Sequence, residues 1–211
     1  MEIARTALTS RAHTSPLQVY LAACRLDLQS EAKTAARRTL RYSISELRET
    51  ANRSGDEVAV LAPALERLYA YHEECKVAVR TVTDCEYWAI HDLKLFPNVY
   101  FDPRIPPAPS VFSTQPRCCT TLQTSAEIGT YYVKSWFLPF LEKLADVLAM
   151  KPSGEELGFD EWSGLFRDAV SQAKQCPRCG QYAFDLLRMY SKNSLGRADS
   201  LINAVSMSEA F

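Results

Sequence analysis

Residues 16–80 read PLQVYLAACRLDLQSEAKTAARRTLRYSISELRETANRSGDEVAVLAPALERLYAYHEECKVAVR, and the spacing of their apolar positions decides the fold. Leu17, Tyr20, Leu21, Cys24 and Leu28 recur every third or fourth residue, which puts them on one face of a helix. Thr14 and Ser15 precede Pro16 and offer a capping hydroxyl ahead of a proline at the first helical position. A break near Gln29–Ser30 leads to a second helix whose Ala32, Ala35, Ala36 and Leu40 let a neighbour approach closely. Ser43 or Ser45 then caps a third helix carrying Ile44 and Leu47, and Asn52–Gly55 is a turn. Pro63 opens the strongest helix of this half, with Leu65, Leu68, Tyr69, His72, Cys75, Val79 and Val82 in helical register.

Outward from this stretch the pattern stays helical. Ile3, Ala7 and Leu8 form a short amphipathic piece, too brief to be stable without something to pack on. Residues 96–116 hold six prolines (97, 103, 106, 107, 109 and 116), which exclude regular helix and predict an extended, irregular insertion. Tyr131, Trp136, Phe137, Phe140, Leu141, Leu144, Val147 and Leu148 predict a broad apolar helix face over residues 130–150, kinked at Pro139 or starting there. Such a stripe serves as core or as a face for a second copy of the chain, and periodicity does not separate the two. Further helices carry Phe159, Trp162, Leu165, Phe166 and Val170, and then Tyr182, Leu186, Met189 and Tyr190. No strict two-residue alternation is evident. The expected fold is all-α, a multi-helix array or bundle with a proline-rich insertion. Its expected segments are residues 1–95, the insertion 96–125, a second helical region 126–195 and a frayed tail 196–211.

Composition narrows the function. The chain has 211 residues with 24 basic against 25 acidic side chains, so no overall charge draws it to nucleic acid or an anionic membrane. No apolar run reaches the roughly 20 residues of a spanning helix. Residues 1–14 lack the apolar core of a signal peptide, so an intracellular location, cytoplasm or nucleus, is expected. In that reducing setting the seven cysteines are expected as thiols or metal ligands rather than disulfides. With 7 glycines and no glycine-rich nucleophile turn or phosphate loop, no enzyme motif is present. The paired acidic residues Glu73–Glu74, Glu155–Glu156 and Asp160–Glu161 are sequence neighbours, which diverge on a helix and read as solvated surface.

One spacing carries chemistry. Cys176-Pro-Arg-Cys179 can aim two thiolates at one tetrahedral ion, and a structural zinc needs four donors. The candidates for completing it are Cys75, Cys85, Cys118, Cys119, His72 and His91, with Cys75 and one of the adjacent pair Cys118–Cys119 preferred. His72 stands one helical turn from Cys75 and is the alternative ligand. Two other readings stay open: buried thiols that pack as small hydrophobes, and a redox pair at a helix start.

The stretches Ser15–Tyr20 (SPLQVY), Ala22–Arg25 (AACR), Glu31–Arg37 (EAKTAAR) and Leu68–Cys75 (LYAYHEEC) resemble the region that follows the BTB/POZ domain in BTB-containing proteins of mushroom-forming fungi. Trp136 and the late pair Cys176 and Cys179 fit the same resemblance. It spans most of residues 1–195 and implies a helical, non-enzymatic scaffold or interaction module with protein partners of unspecified identity. It also implies that the helix before Pro16 is the tail of a BTB domain that is itself absent. A zinc-stabilised binding domain of other origin and a helical enzyme without a recognisable motif are the alternatives.

Overall fold

A computed structural model describes residues 6, 8, 10–53, 61–84, 99–101, 119–126, 129–153 and 159–206. The chain is predominantly helical and divides into two compact units. The first comprises Met1–Val79, Leu148–Glu156 and Asp199–Phe211, and the second Arg80–Val147 and Leu157–Ala198.

In the first unit, α1 (Pro16–Arg25) starts at the proline, but Ser15 makes no side-chain cap, so the expected capping hydroxyl is not used. Proline presets the backbone of the first turn and removes one of the N–H groups that a helix start leaves open. The helix closes with Asp27 in the left-handed region (φ 55°). There Leu28 N–H donates to Ala23 O at 2.8 Å and Asp27 N–H to Cys24 O at 3.3 Å. This crossed pair of bonds satisfies carbonyls that every helix end leaves open, and it folds Leu28 back into the core. The chain then enters α2 (Gln29–Thr39), which packs on α1 through the fully buried Ala32, Ala35 and Ala36.

A reciprocal capping box starts α3 (Ile44–Arg53): Glu46 N–H donates to Ser43 Oγ at 3.2 Å, and Ser43 N–H to Glu46 Oε2 at 2.7 Å. The Ser43 backbone bond holds the Glu46 carboxyl below its ordinary range. The longer α4 (Ala62–Arg80) buries Ala64, Leu65, Leu68, Tyr71, His72, Cys75 and Val79, a stripe at the predicted helical spacing. Tyr20 of α1 donates its hydroxyl to Ala64 O at 2.9 Å, pinning the start of α4.

The second unit holds what periodicity overlooked. Strands β1 (Val99–Phe101), β2 (Thr120–Ser125) and β3 (Gly129–Lys134) form an antiparallel sheet in the order β1-β3-β2. Thr120 pairs with Lys134 and Ser125 with Gly129 at the two ends of the hairpin, and Tyr100 pairs with Tyr132. The residues responsible are β-branched and aromatic: Thr120, Thr121, Thr124, Thr130, Tyr131, Tyr132 and Val133. Tyr131 therefore belongs to a strand and not to the helix expected over 130–150.

That helix, α5, spans Leu138–Met150. Pro139 falls in its first turn, where a missing N–H costs nothing, so proline sets the start rather than a kink. Next come α6 (Phe159–Ala173) and α7 (Pro177–Ala204). Phe137, Phe140 and Tyr190 pack ring against ring, with centroids 5.1–5.7 Å apart, and Trp162 and Phe166 extend the cluster. Tyr190 donates its hydroxyl to Val82 O at 2.6 Å. Met150 is followed by Lys151, Pro152 and Ser153 outside helix.

At the other end, α7 continues to Ala204 instead of fraying from residue 196. Ala198 and Ile202 are buried, and Arg37 of α2 bonds both Asp199, at 3.2 Å, and Asn203. Residues Asp102–Cys118, most of the proline-rich insertion, lie outside the described residues. Among the described residues no helix is long and apolar enough to cross a membrane.

Candidate metal centre

Two of the three groups at this site come from the junction of α6 and α7. The chain leaves α6 through Lys174 and Gln175, with Cys176 N–H donating to Ala173 O at 3.1 Å. Pro177 then starts α7, so Cys176 stands just before the helix and Cys179 in its first turn. Gly180 N–H donates to Cys176 O at 2.9 Å, closing that turn. A Cβ on Gly180 would lie 3.1 Å from Lys174 Cα and 3.3 Å from its Cγ. Glycine therefore lets the start of α7 lie against the end of α6, which keeps the Cys-x-x-Cys turn tight. The partial positive charge of a helix N-terminus favours anions at both cysteine positions.

The third group comes from the sheet. Cys119 immediately precedes β2 and accepts a hydrogen bond from Ser135 N–H at 2.8 Å through its carbonyl, which continues the hairpin ladder by one step. Its φ is 55°, in the left-handed region that a non-glycine residue enters at a cost. In this conformation its sulfur joins the other two: the Sγ atoms of Cys119, Cys176 and Cys179 all lie within 4.8 Å of one another. Zinc–sulfur bonds of about 2.3 Å in a tetrahedron set sulfur–sulfur edges of about 3.8 Å, so a small closure brings all three onto one ion. Cys119 is exposed, Cys176 half-buried and Cys179 buried, so the site opens to solvent on the hairpin side.

The other described sequence candidates are not part of this group. Cys75 lies in the core of the first unit, and burial pushes its thiol up to about 11 despite the opposing hydrogen bond with Tyr71. A thiol held protonated there is a small core hydrophobe rather than a ready ligand.

His72 is also fully buried, its Nε2 2.8 Å from Thr39 Oγ1. The Thr39 hydroxyl hydrogen is directed at Ala36 O, 2.5 Å away, so Oγ1 receives the bond from Nε2–H and His72 carries its proton there. Nδ1 is buried without a hydrogen-bond partner among the described residues. Burial, with Lys76 nearby, lowers the imidazole to about 4, Glu73 opposing.

Cys24 is half-buried on α1, its thiol raised by desolvation. His13 Nδ1 lies 2.7 Å from Arg38 Nη1. Cys85, His91 and Cys118 lie outside the described residues. Among the described residues, Cys119, Cys176 and Cys179 form the one group of three or more candidate ligand atoms close enough for a metal.

The Cys-x-x-Cys spacing was readable in the sequence, and Cys119 stood there as one of the preferred adjacent pair; Cys75, the other preferred donor, is not in this group. The hairpin register and left-handed backbone that bring Cys119 to the pair are not announced by any local motif. Comparison with known proteins adds nothing to assign it: no family model, curated protein or solved structure matches the chain.

Proposed function

We propose that the protein is a non-enzymatic helical interaction module in which a structural zinc, held by Cys119, Cys176 and Cys179, fastens the β2–β3 hairpin to the start of α7. The observation that supports this reading is the three-sulfur cluster, drawn from a sheet and a helix junction more than 50 residues apart in sequence. Soft thiolate donors select zinc over the hard cations magnesium and calcium. The described residues furnish three of the four donors that a closed structural site takes.

The interaction role follows the resemblance of residues 15–75 to the region after a BTB domain. It agrees with the surface of α7, where Tyr182 and Met189 stand exposed seven residues apart on one face. Its partners are proteins, and a reducing intracellular compartment keeps the thiolates available.

The test is metal analysis of the full chain purified without added zinc, alongside Cys176→Ser. About one zinc per chain, lost in the variant together with a lower melting temperature, supports the reading. Substoichiometric metal and an unaltered melting temperature in Cys176→Ser overturn it.

A further inference from the structure

From the graded exposure of the three sulfurs we infer that the centre is an oxidation-sensitive switch, in which peroxide joins Cys119 to Cys176 and expels the metal. The inference rests on the zinc reading above and adds its regulation.

The three sulfurs are not equally enclosed: Cys179 is buried, Cys176 half-buried and Cys119 exposed. Cys119 is exposed, sits at the open end of the hairpin ladder and holds a left-handed backbone, so its sulfur is the one an oxidant meets first. Cys176, half-buried just ahead of α7, and Cys179, buried in its first turn, both lie within 4.8 Å of that sulfur. Cys176 is the better resolving thiol, because it is half-buried whereas Cys179 is buried in the first turn of α7. Cys179 is held in the turn that Gly180 closes against Lys174.

The chemistry balances with hydrogen peroxide as oxidant. The Cys119 thiolate attacks one peroxide oxygen, an S–O bond forms, the O–O bond breaks and hydroxide leaves. Sulfur is oxidised by two electrons and peroxide reduced by two. The Cys176 thiolate then attacks the sulfenic sulfur; an S–S bond forms, the S–O bond breaks and a second hydroxide leaves. Both hydroxides take up protons from solvent. Two of the three thiolates are now one disulfide, and the donors left are too few to retain zinc. The disulfide still ties the hairpin to the start of α7, while loss of the ion leaves Cys179 unligated, so oxidation exchanges a metal tie for a covalent one.

The experiment treats zinc-loaded full-length protein with a stoichiometric amount of hydrogen peroxide, following released zinc with a chromophoric chelator and mapping disulfides after trypsin. Cleavage after Arg117, Lys134, Lys174, Arg178 and Arg188 separates the peptides bearing Cys119, Cys176 and Cys179. A Cys118→Ser background removes the neighbouring thiol from the first of them.

The expected result is release of nearly all bound zinc, with a linked pair of peptides 118–134 and 175–178. Zinc that stays bound under peroxide, or a disulfide confined to Cys176 and Cys179, overturns the switch and leaves the zinc site standing. Absence of zinc from the untreated protein removes the site and the switch together. Cys119→Ala must show no linked pair; a peptide carrying Cys176 that oxidises equally in that variant also overturns the assignment.

Discussion

His72 should make the first unit acid-labile well above the range in which carboxylates titrate. Its imidazole is fully buried, donates from Nε2 to Thr39 and has no partner for Nδ1 among the described residues, so a second proton would have no acceptor there and would bring a charge into the core. Burial, helped by Lys76, holds its folded pKa near 4 against an ordinary value of 6.5. The unfolded chain thus takes up the proton first as pH falls. Stability from neutral His72 is complete above pH 6.5, declines below it and is lost as pH passes through about 4.

At 1.36 kcal/mol per pH unit the full effect is about 3 kcal/mol, of which about 2 kcal/mol is gone by pH 5. With a urea slope of roughly 2 kcal/mol per molar, the unfolding midpoint should fall by about 1 M between pH 8 and pH 5. Urea titrations followed by circular dichroism at pH 8, 7, 6 and 5 measure it. His72→Gln keeps a donor for Thr39 and cannot titrate, so its midpoint should change far less over the same range. A wild-type midpoint equal at pH 5 and pH 8, or an identical fall in His72→Gln, would refute the reasoning.

Three further outcomes follow from the packing. Tyr190→Phe strips the hydroxyl that donates to Val82 O and should cost about 1 kcal/mol in denaturant unfolding. Phe140→Ala opens a cavity among Phe137, Tyr190, Trp162 and Phe166 and should cost about 3–5 kcal/mol by the same assay. Ser43→Ala removes one half of the capping box that starts α3 and should cost about 1 kcal/mol, with Ser43→Gly milder, read as a shift in thermal midpoint.

The helical frame was legible because it rests on local signals. Pro16 sets the start of α1, Ser43 and Glu46 cap α3, and a stripe from Leu65 to Val79 buries one side of α4. These depend on neighbours three or four residues away, which a sequence displays. The sheet was missed because its hairpin is short and its alternation is blurred by threonines. Tyr131 also sits close enough to Trp136 and Phe140 to read as one apolar run. The ordered end of α7 was missed for a different reason: Arg37 holds Asp199 and Asn203 across more than 160 positions. The late cysteine pair and Cys119, one of the adjacent pair preferred to complete it, were named from the sequence, while the contact that brings them together is set by the fold. Cys75, which shares a sequence motif with His72, is taken by the core instead.

Cobalt titration of the metal-free, reduced protein tests the central claim most directly, because thiolate-to-cobalt charge transfer appears only when cysteine sulfur binds the ion. A near-ultraviolet band that saturates at about one cobalt per chain, reversed by zinc, lost in Cys119→Ser and kept in Cys75→Ala, is the predicted result. No such band, or one of equal strength in Cys119→Ser, would contradict it.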